Sequence, residues 1–231
     1  WGAWCTECGW TQGWIPTVLG LRRLGISFWD LTKDSAVAEH MDAIRPGMLP
    51  DDAVSAAPQT RRVQHDAVGC EILSVTEPDP RFNPGDTQGL VDGELLMADW
   101  GWTWLGYKQI DFEALIDLGA VIPIHALGIV CMQQVFHGMY LPSDVHFEVS
   151  EDKTNFKPAG TASPDIPPKE EGPLSSALLA TAPEGTCGRY VRVRAINQHT
   201  IPEGLHCAGA KAWLMVDEIL VNPVSDLNAQ S

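Results

Sequence analysis

Cys5 and Cys8 stand in the W-C-x-x-C spacing of a thiol–disulfide redox centre, where a helix N-terminus would lower the pKa of the first thiol. No strand precedes them, and Gly9, Gly13 and Pro16 interrupt the helix that should follow. An unstructured start is the better expectation, with a thiol oxidoreductase built on Cys5 and Cys8 kept as a third reading. Asp217 and Glu218 form the one Asp-Glu pair, but they sit inside the apolar run LMVDEILV. Strand alternation would send them to opposite faces, where two carboxylates cannot flank one glycosidic bond. Nucleophile elbows, phosphate loops and zinc-spaced histidines are missing, so no catalytic residue is expected.

Recognition is better served than catalysis. Trp100, Trp102, Trp104 and Tyr107 fall in one short segment, and alternate residues of an extended chain share a face. Large aromatics close the cores of most sandwiches, so Trp104 and Trp213 are expected inside and Trp100 or Trp102 at the surface, where an indole can meet the C–H face of a sugar ring. His137 and Tyr140 in FHGMYLP, with Asn197, His199 and His206 in NQHTIPEGLHCAGAK, lie on two expected loops. Imidazole, phenol and amide groups can both donate to and accept from hydroxyls. Against this, a loop histidine is more often simply solvated.

The chain has 231 residues and a net charge of −15, spread unevenly: residues 1–66 carry −2 and residues 67–231 carry −13. So acidic a surface repels phosphate backbones and disfavours nucleic acid as a partner. No run approaches the roughly 20 apolar residues of a membrane span. The chain opens at Trp1 with no signal peptide visible, which suggests a fragment of something longer. Cys70, Cys131, Cys187 and Cys207 are scattered singly, the usual pattern of small buried hydrophobes.

The elements that must position these side chains are strands. Residues 145–150 (VHFEVS) and 190–195 (YVRVRA) alternate apolar and polar at period two. Regular Pro and Gly punctuation predicts strands over 68–75, 112–118, 124–134, 144–150, 174–182, 189–196 and 212–221, with a Pro-rich loop over 163–173. Seven or eight short strands without a convincing helix indicate an all-β sandwich over 62–223. Residues 1–61 read as an irregular segment with a helix near 35–44 and a linker, and 224–231 as a tail.

The order LVDG, WLGY, FEALIDLG, GIVCMQQ, YLPSDVHFEVSEDKTNFKPAG, RYVRVRA, AGAKAWLMVDEI resembles the discoidin-like (coagulation factor 5/8 type C, galactose-binding-like) jelly-roll module. The version at the C-terminal end of bacterial glycoside hydrolase family 20 β-N-acetylhexosaminidases is the nearest likeness, though residues 1–61 do not match that family's lead-in. The resemblance implies a jelly-roll β-sandwich acting as a non-catalytic carbohydrate-binding accessory module. Its expected partners are glycans with terminal galactose or N-acetylhexosamine and a tethered catalytic domain, in a secreted, periplasmic or cell-surface setting. The alternative is a structural module that packs on its parent catalytic barrel and binds no sugar. The resemblance also implies one structural calcium, with carboxylates at Asp92 and Glu218 and a further oxygen from Thr103. A hard cation wants six to eight oxygens, which such a loop can supply. Alone, Asp92-Gly93 reads as an ordinary turn.

Overall fold

The computed structural model describes residues 60–96 and 104–224. The chain divides into two compact units, Trp1–Ala57 and Pro58–Ser231, and the described residues all lie in the second. The expected helix near 35–44, the Cys5/Cys8 pair, Trp100, Trp102 and Thr103 lie outside the described residues.

Eleven strands are present among the described residues: β1 (Thr60–Arg62), β2 (Glu71–Val75), β3 (Glu94–Leu96), β4 (Leu105–Lys108), β5 (Phe112–Pro123), β6 (Ala126–Gln133), β7 (Val145–Ser150), β8 (Lys157–Ala162), β9 (Leu174–Thr181), β10 (Cys187–Ala195) and β11 (Trp213–Val221). A five-stranded sheet runs β2-β5-β10-β7-β8, a four-stranded sheet runs β4-β11-β6-β9, and β1 pairs with β3. Every strand pair is antiparallel. The two sheets face each other in a jelly-roll β-sandwich. Phe112, Ile116, Phe147 and Val193 of one sheet share a core with Leu127, Ile129, Leu214 and Ile219 of the other.

β11 is buried along its whole length. Leu214, Val216 and Ile219 point into the sandwich, while Trp213, Met215 and Leu220 join a second apolar cluster with Trp104, Met132 and Val63. A strand covered on both faces reads as a continuous apolar run, and WLMVDEILV is that run. Trp104 and Trp213 are both buried, as expected for large aromatics. Tyr107 joins them, tilted against Phe112 at 5.1 Å between ring centroids.

Several expectations are corrected. Gly119 does not end β5: its positive φ of 80° lets the strand bulge and continue, and the register against β10 shifts between Gly188 and Tyr190. Pro158 and Gly160 do not fence a loop but lie within β8, a sheet edge, where a missing N–H costs no ladder bond. The linker and lead-in contain β1, and residues 90–108 contribute β3 and β4. Residues 68–70 belong to the turn before β2. Of the four described cysteines only Cys131 is buried, while Cys187 and Cys207 are exposed. No helix among the described residues is long and apolar enough to cross a membrane.

Candidate functional site

The strand pairings bring the ends of β4, β6 and β10 and the starts of β5, β7, β9 and β11 to one end of the sandwich. The turn at 109–111, the 134–144 loop and the 196–212 loop are therefore neighbours. A small apolar cluster of Val135, Tyr140, Ile201 and Ala212, with Leu205 against it, gives this end a core of its own. Tyr140 N–H donates to the Trp213 carbonyl and Trp213 N–H to the Gly138 carbonyl, which sews the 134–140 turn to the start of β11. Gly138 takes φ 70°, the left-handed conformation that closes a 3-10 turn, and a Cβ there would stand 3.3 Å from Ile201.

The sequence-predicted contact residues divide sharply here. Tyr140 is 2% exposed and its hydroxyl donates to the His206 carbonyl at 2.7 Å. Asn197 is 3% exposed: its amide donates to the Tyr107 and Ile110 carbonyls and its oxygen accepts from His199 N–H. Both are corrected from ligand contacts to struts, because their polar atoms are already occupied by the chain. His137, His199 and His206 are exposed. The His199 Nε2 lies 2.7 Å from Asp111 Oδ1, and Asp111 also accepts from Arg194 and from Asn197 N–H. Burial pushes the Asp111 carboxyl up, but these three donors together outweigh it and hold the group below its ordinary range.

Phe136 was not singled out from the sequence, yet it is 50% exposed, and its ring meets the His206 imidazole edge to face at 4.8 Å. A half-exposed phenyl braced by an imidazole is an apolar surface with a polar neighbour. Its signal lay in FHG, where an aromatic precedes a turn glycine.

A second polar centre lies farther along β11. The register of β11 against β6 shifts between Val216 and Ile219. Strand alternation is interrupted there, so Asp217 and Glu218 do not simply point opposite ways. Both serve the 93–96 segment: Asp217 Oδ2 accepts from Leu96 N–H at 2.8 Å, and Glu218 Oε1 from Gly93 N–H at 3.0 Å. Both residues are buried, which keeps them from any substrate bond.

Glu218 Oε1 also meets His65 Nε2 at 2.7 Å, with both side chains fully buried. Glu218 Oε2 is buried, and the Glu218 carboxyl also contacts Asp92. Burial, reinforced by the charge and carboxyl contact of Asp92, pushes Glu218 up to about 9. Burial lowers His65 to about 4, against the charges of Asp66 and Asp92. The Asp92 carboxylate is itself exposed, and its Oδ1 accepts from Glu94 N–H at 2.7 Å. A cavity of about 560 Å³ opens beside this corner, lined by residues 62–65, Val68 and Asp92-Gly93. Asp92 and Glu218 are thus brought together, while no cluster of three or more His, Cys, Asp or Glu suited to a metal occurs among the described residues.

No family model and no curated protein matches the chain. Solved structures similar to it include the C-terminal domain of a chitobiase from Bacteroides fragilis, 17% identical, with 72% of this chain and 98% of that one covered at a TM-score of 0.41. A second is CBM32-3 from a family 31 glycoside hydrolase of Clostridium perfringens, 12% identical, with 69% and 94% covered at 0.43. A third is the family 32 carbohydrate-binding module of Streptococcus pneumoniae EndoD, 9% identical, with 68% and 98% covered at 0.45.

Proposed function

We propose that the sandwich is a non-catalytic carbohydrate-binding module, which meets terminal galactose or N-acetylhexosamine at the loop end and acts alongside a tethered catalytic domain. The supporting observation is the Phe136 ring, half-exposed, braced by His206 and adjacent in sequence to Val135 of the loop-end cluster. A phenyl face suits the C–H side of a pyranose, and the neighbouring His137, His199 and His206 can address its hydroxyls. So shallow a surface buries little of a polar ligand, so single-site affinity is modest and tethering supplies the effective concentration. Isothermal titration of galactose, N-acetylglucosamine and N-acetylgalactosamine tests this. Binding that Phe136→Ala abolishes supports the reading; a glycan array and titrations blank for the parent chain leave the structural packing module in its place.

Within the same reading, Asp92 and Glu218 hold a structural calcium. The support is the donor chemistry: a buried carboxyl stands against a second carboxylate, and among the described residues no Lys or Arg pairs with Glu218. Leaving such a group uncompensated is costly, and an oxygen-seeking cation relieves that cost. Calcium would supply a fixed positive charge; Asp92 and Glu218 are the described residues that would hold it.

A further inference from the structure

Asp111 holds two half-exposed side chains next to each other at the loop end. Its Oδ2 accepts from Arg194 Nη2 at 2.9 Å and its Oδ1 meets His199 Nε2 at 2.7 Å, so guanidinium and imidazole share one carboxylate. Each keeps unused atoms: among the described residues, nothing else takes the remaining Arg194 N–H groups or His199 Nδ1. Ile110, one position before Asp111, is 43% exposed. Its carbonyl accepts from the Asn197 amide at 3.1 Å, and the preceding Gln109 N–H donates to the Ala212 carbonyl at 2.9 Å. The apolar side chain therefore stands on a turn pinned from two sides. Gln109 at φ 60° and His199 at φ 59° both hold left-handed backbone, which non-glycine residues keep where the surroundings over-determine them. An exposed Arg–carboxylate pair adds little stability by itself. Rigid placement of an apolar group beside free donors and a free acceptor is what a ligand gains from, because less freedom is lost on binding.

We infer that Ile110, Arg194 and His199 form a second sugar subsite, which takes the acetamido group of an N-acetylhexosamine next to the terminal ring. This rests on the sugar-binding reading above and assigns His199 to the ring that follows the terminal one. Position separates the two subsites. Residues 199–212 form a hairpin: Thr200 pairs with Lys211, Ile201 N–H donates to the Ala210 carbonyl, and Ala212 N–H donates to the His199 carbonyl. His199 is thus at the base of the hairpin, and His206, with Phe136 against it, is toward the tip. A ligand held at the tip reaches the base by extending along the hairpin. Chemistry then selects the group. The Arg194–Asp111 pair cancels in charge on a strongly acidic module, so a neutral acceptor is favoured over an anion. A plain hydroxyl would use the donors but leave Ile110 bare. An acetamido group uses both: its carbonyl oxygen accepts from Arg194 and its methyl covers Ile110. A hydroxyl of the same ring donates to His199 Nδ1, the acceptor that a neutral imidazole keeps when it donates through Nε2.

The test uses the full chain and two pairs of sugars. Lactose and N-acetyllactosamine share a terminal galactose and differ by one acetamido group on the second ring; N-acetylglucosamine and its β-1,4 dimer serve for a terminal N-acetylhexosamine. Isothermal titration of the parent is expected to show, in at least one pair, the member with a second-ring acetamido group binding about 3- to 10-fold tighter, the worth of one hydrogen bond and its contact. In Ile110→Ser and in Arg194→Met that advantage should fall below about twofold, while the weaker member of the pair binds as it does to the parent. If the members of both pairs bind the parent alike, or the advantage survives in either variant, the second subsite is overturned and the sugar-binding reading stands. If the parent binds none of the four sugars, that reading fails and the subsite with it. Saturation-transfer NMR on the parent needs no variant: the second-ring acetamido methyl should receive more saturation than the other protons of its ring, and a methyl that receives none would overturn the subsite.

Discussion

Asp111 and His199 lie 88 positions apart in sequence and meet at 2.7 Å, so that one carboxylate joins the turn after β4 to the loop that follows β10. The same carboxylate holds Arg194 and the Asn197 N–H, which makes it the hub of the loop end. A group held below its ordinary range in the folded state stabilises the fold above its unfolded pKa, and that stabilisation is lost as pH falls through the folded value. Asp111→Asn is therefore expected to cost on the order of 1–2 kcal/mol at pH 7, with the gap to the parent shrinking below about pH 3.9. Urea titrations at pH 7 and pH 3 measure it, and a gap equal at both would refute the assignment.

Asn222 takes φ 49° and clasps three segments. Its oxygen accepts from His125 and Ala126 N–H, and its amide donates to Asp66 and the Pro123 carbonyl. Asn222→Ala loses these bonds and adds left-handed strain, for a cost of about 2–4 kcal/mol. Asn222→Gly loses the same bonds without the strain and should recover about 1 kcal/mol of that. Equal denaturation midpoints for the two variants would remove the backbone part of this account.

For the proposed cation, Asp92→Asn is the cleanest probe, because asparagine keeps an oxygen to accept from Glu94 N–H. The variant should melt about 2–6 °C below the parent in calcium buffer and level with it in chelator. A deficit that persists unchanged in chelator would mean that Asp92 acts only on its own turn.

Thiol labelling offers a test of the packing. Burial pushes the Cys131 thiol well above its ordinary range, whereas Cys187 and Cys207 face solvent. A maleimide applied to the native chain should modify the latter two quickly and Cys131 only after denaturant is added, as read by peptide mass. Rapid native labelling of Cys131 would contradict the sandwich core.

The strands that announced themselves are those whose faces differ or whose length is wholly apolar. β7 and β10 alternate, β6 and β11 are largely apolar runs, and β9 is a mixed run fenced by Pro173 and Pro183, so their expected limits fall within about two residues of the observed ones. β1, β3 and β4 are three or four residues long and too short for periodicity to register. β8 was hidden by Pro158, which only an edge position excuses. At the site, the nearness of Asp92 to Glu218 was legible through the family resemblance. The bulge that turns both Asp217 and Glu218 to the 93–96 segment was not, since nothing in LMVDEILV marks a register shift. His65 was equally silent, because its partner lies 153 positions away. Tyr140 and Asn197 had the right chemistry for hydroxyls, but carbonyls of their own chain had already claimed it.

The position of β11 sets the timetable of assembly. Among the described residues it is the last strand in chain order, yet it lies between β4 and β6, and β4 has no other neighbour in its sheet. Until Trp213–Val221 emerges, the nascent chain holds a gap where its second layer should be, with β4 unable to dock and the 93–96 segment lacking the acceptors that gather it. Closure is thus one late, non-local event, and a premature stop or protease nick ahead of Trp213 should leave a molecule without a sandwich rather than one with a shortened edge.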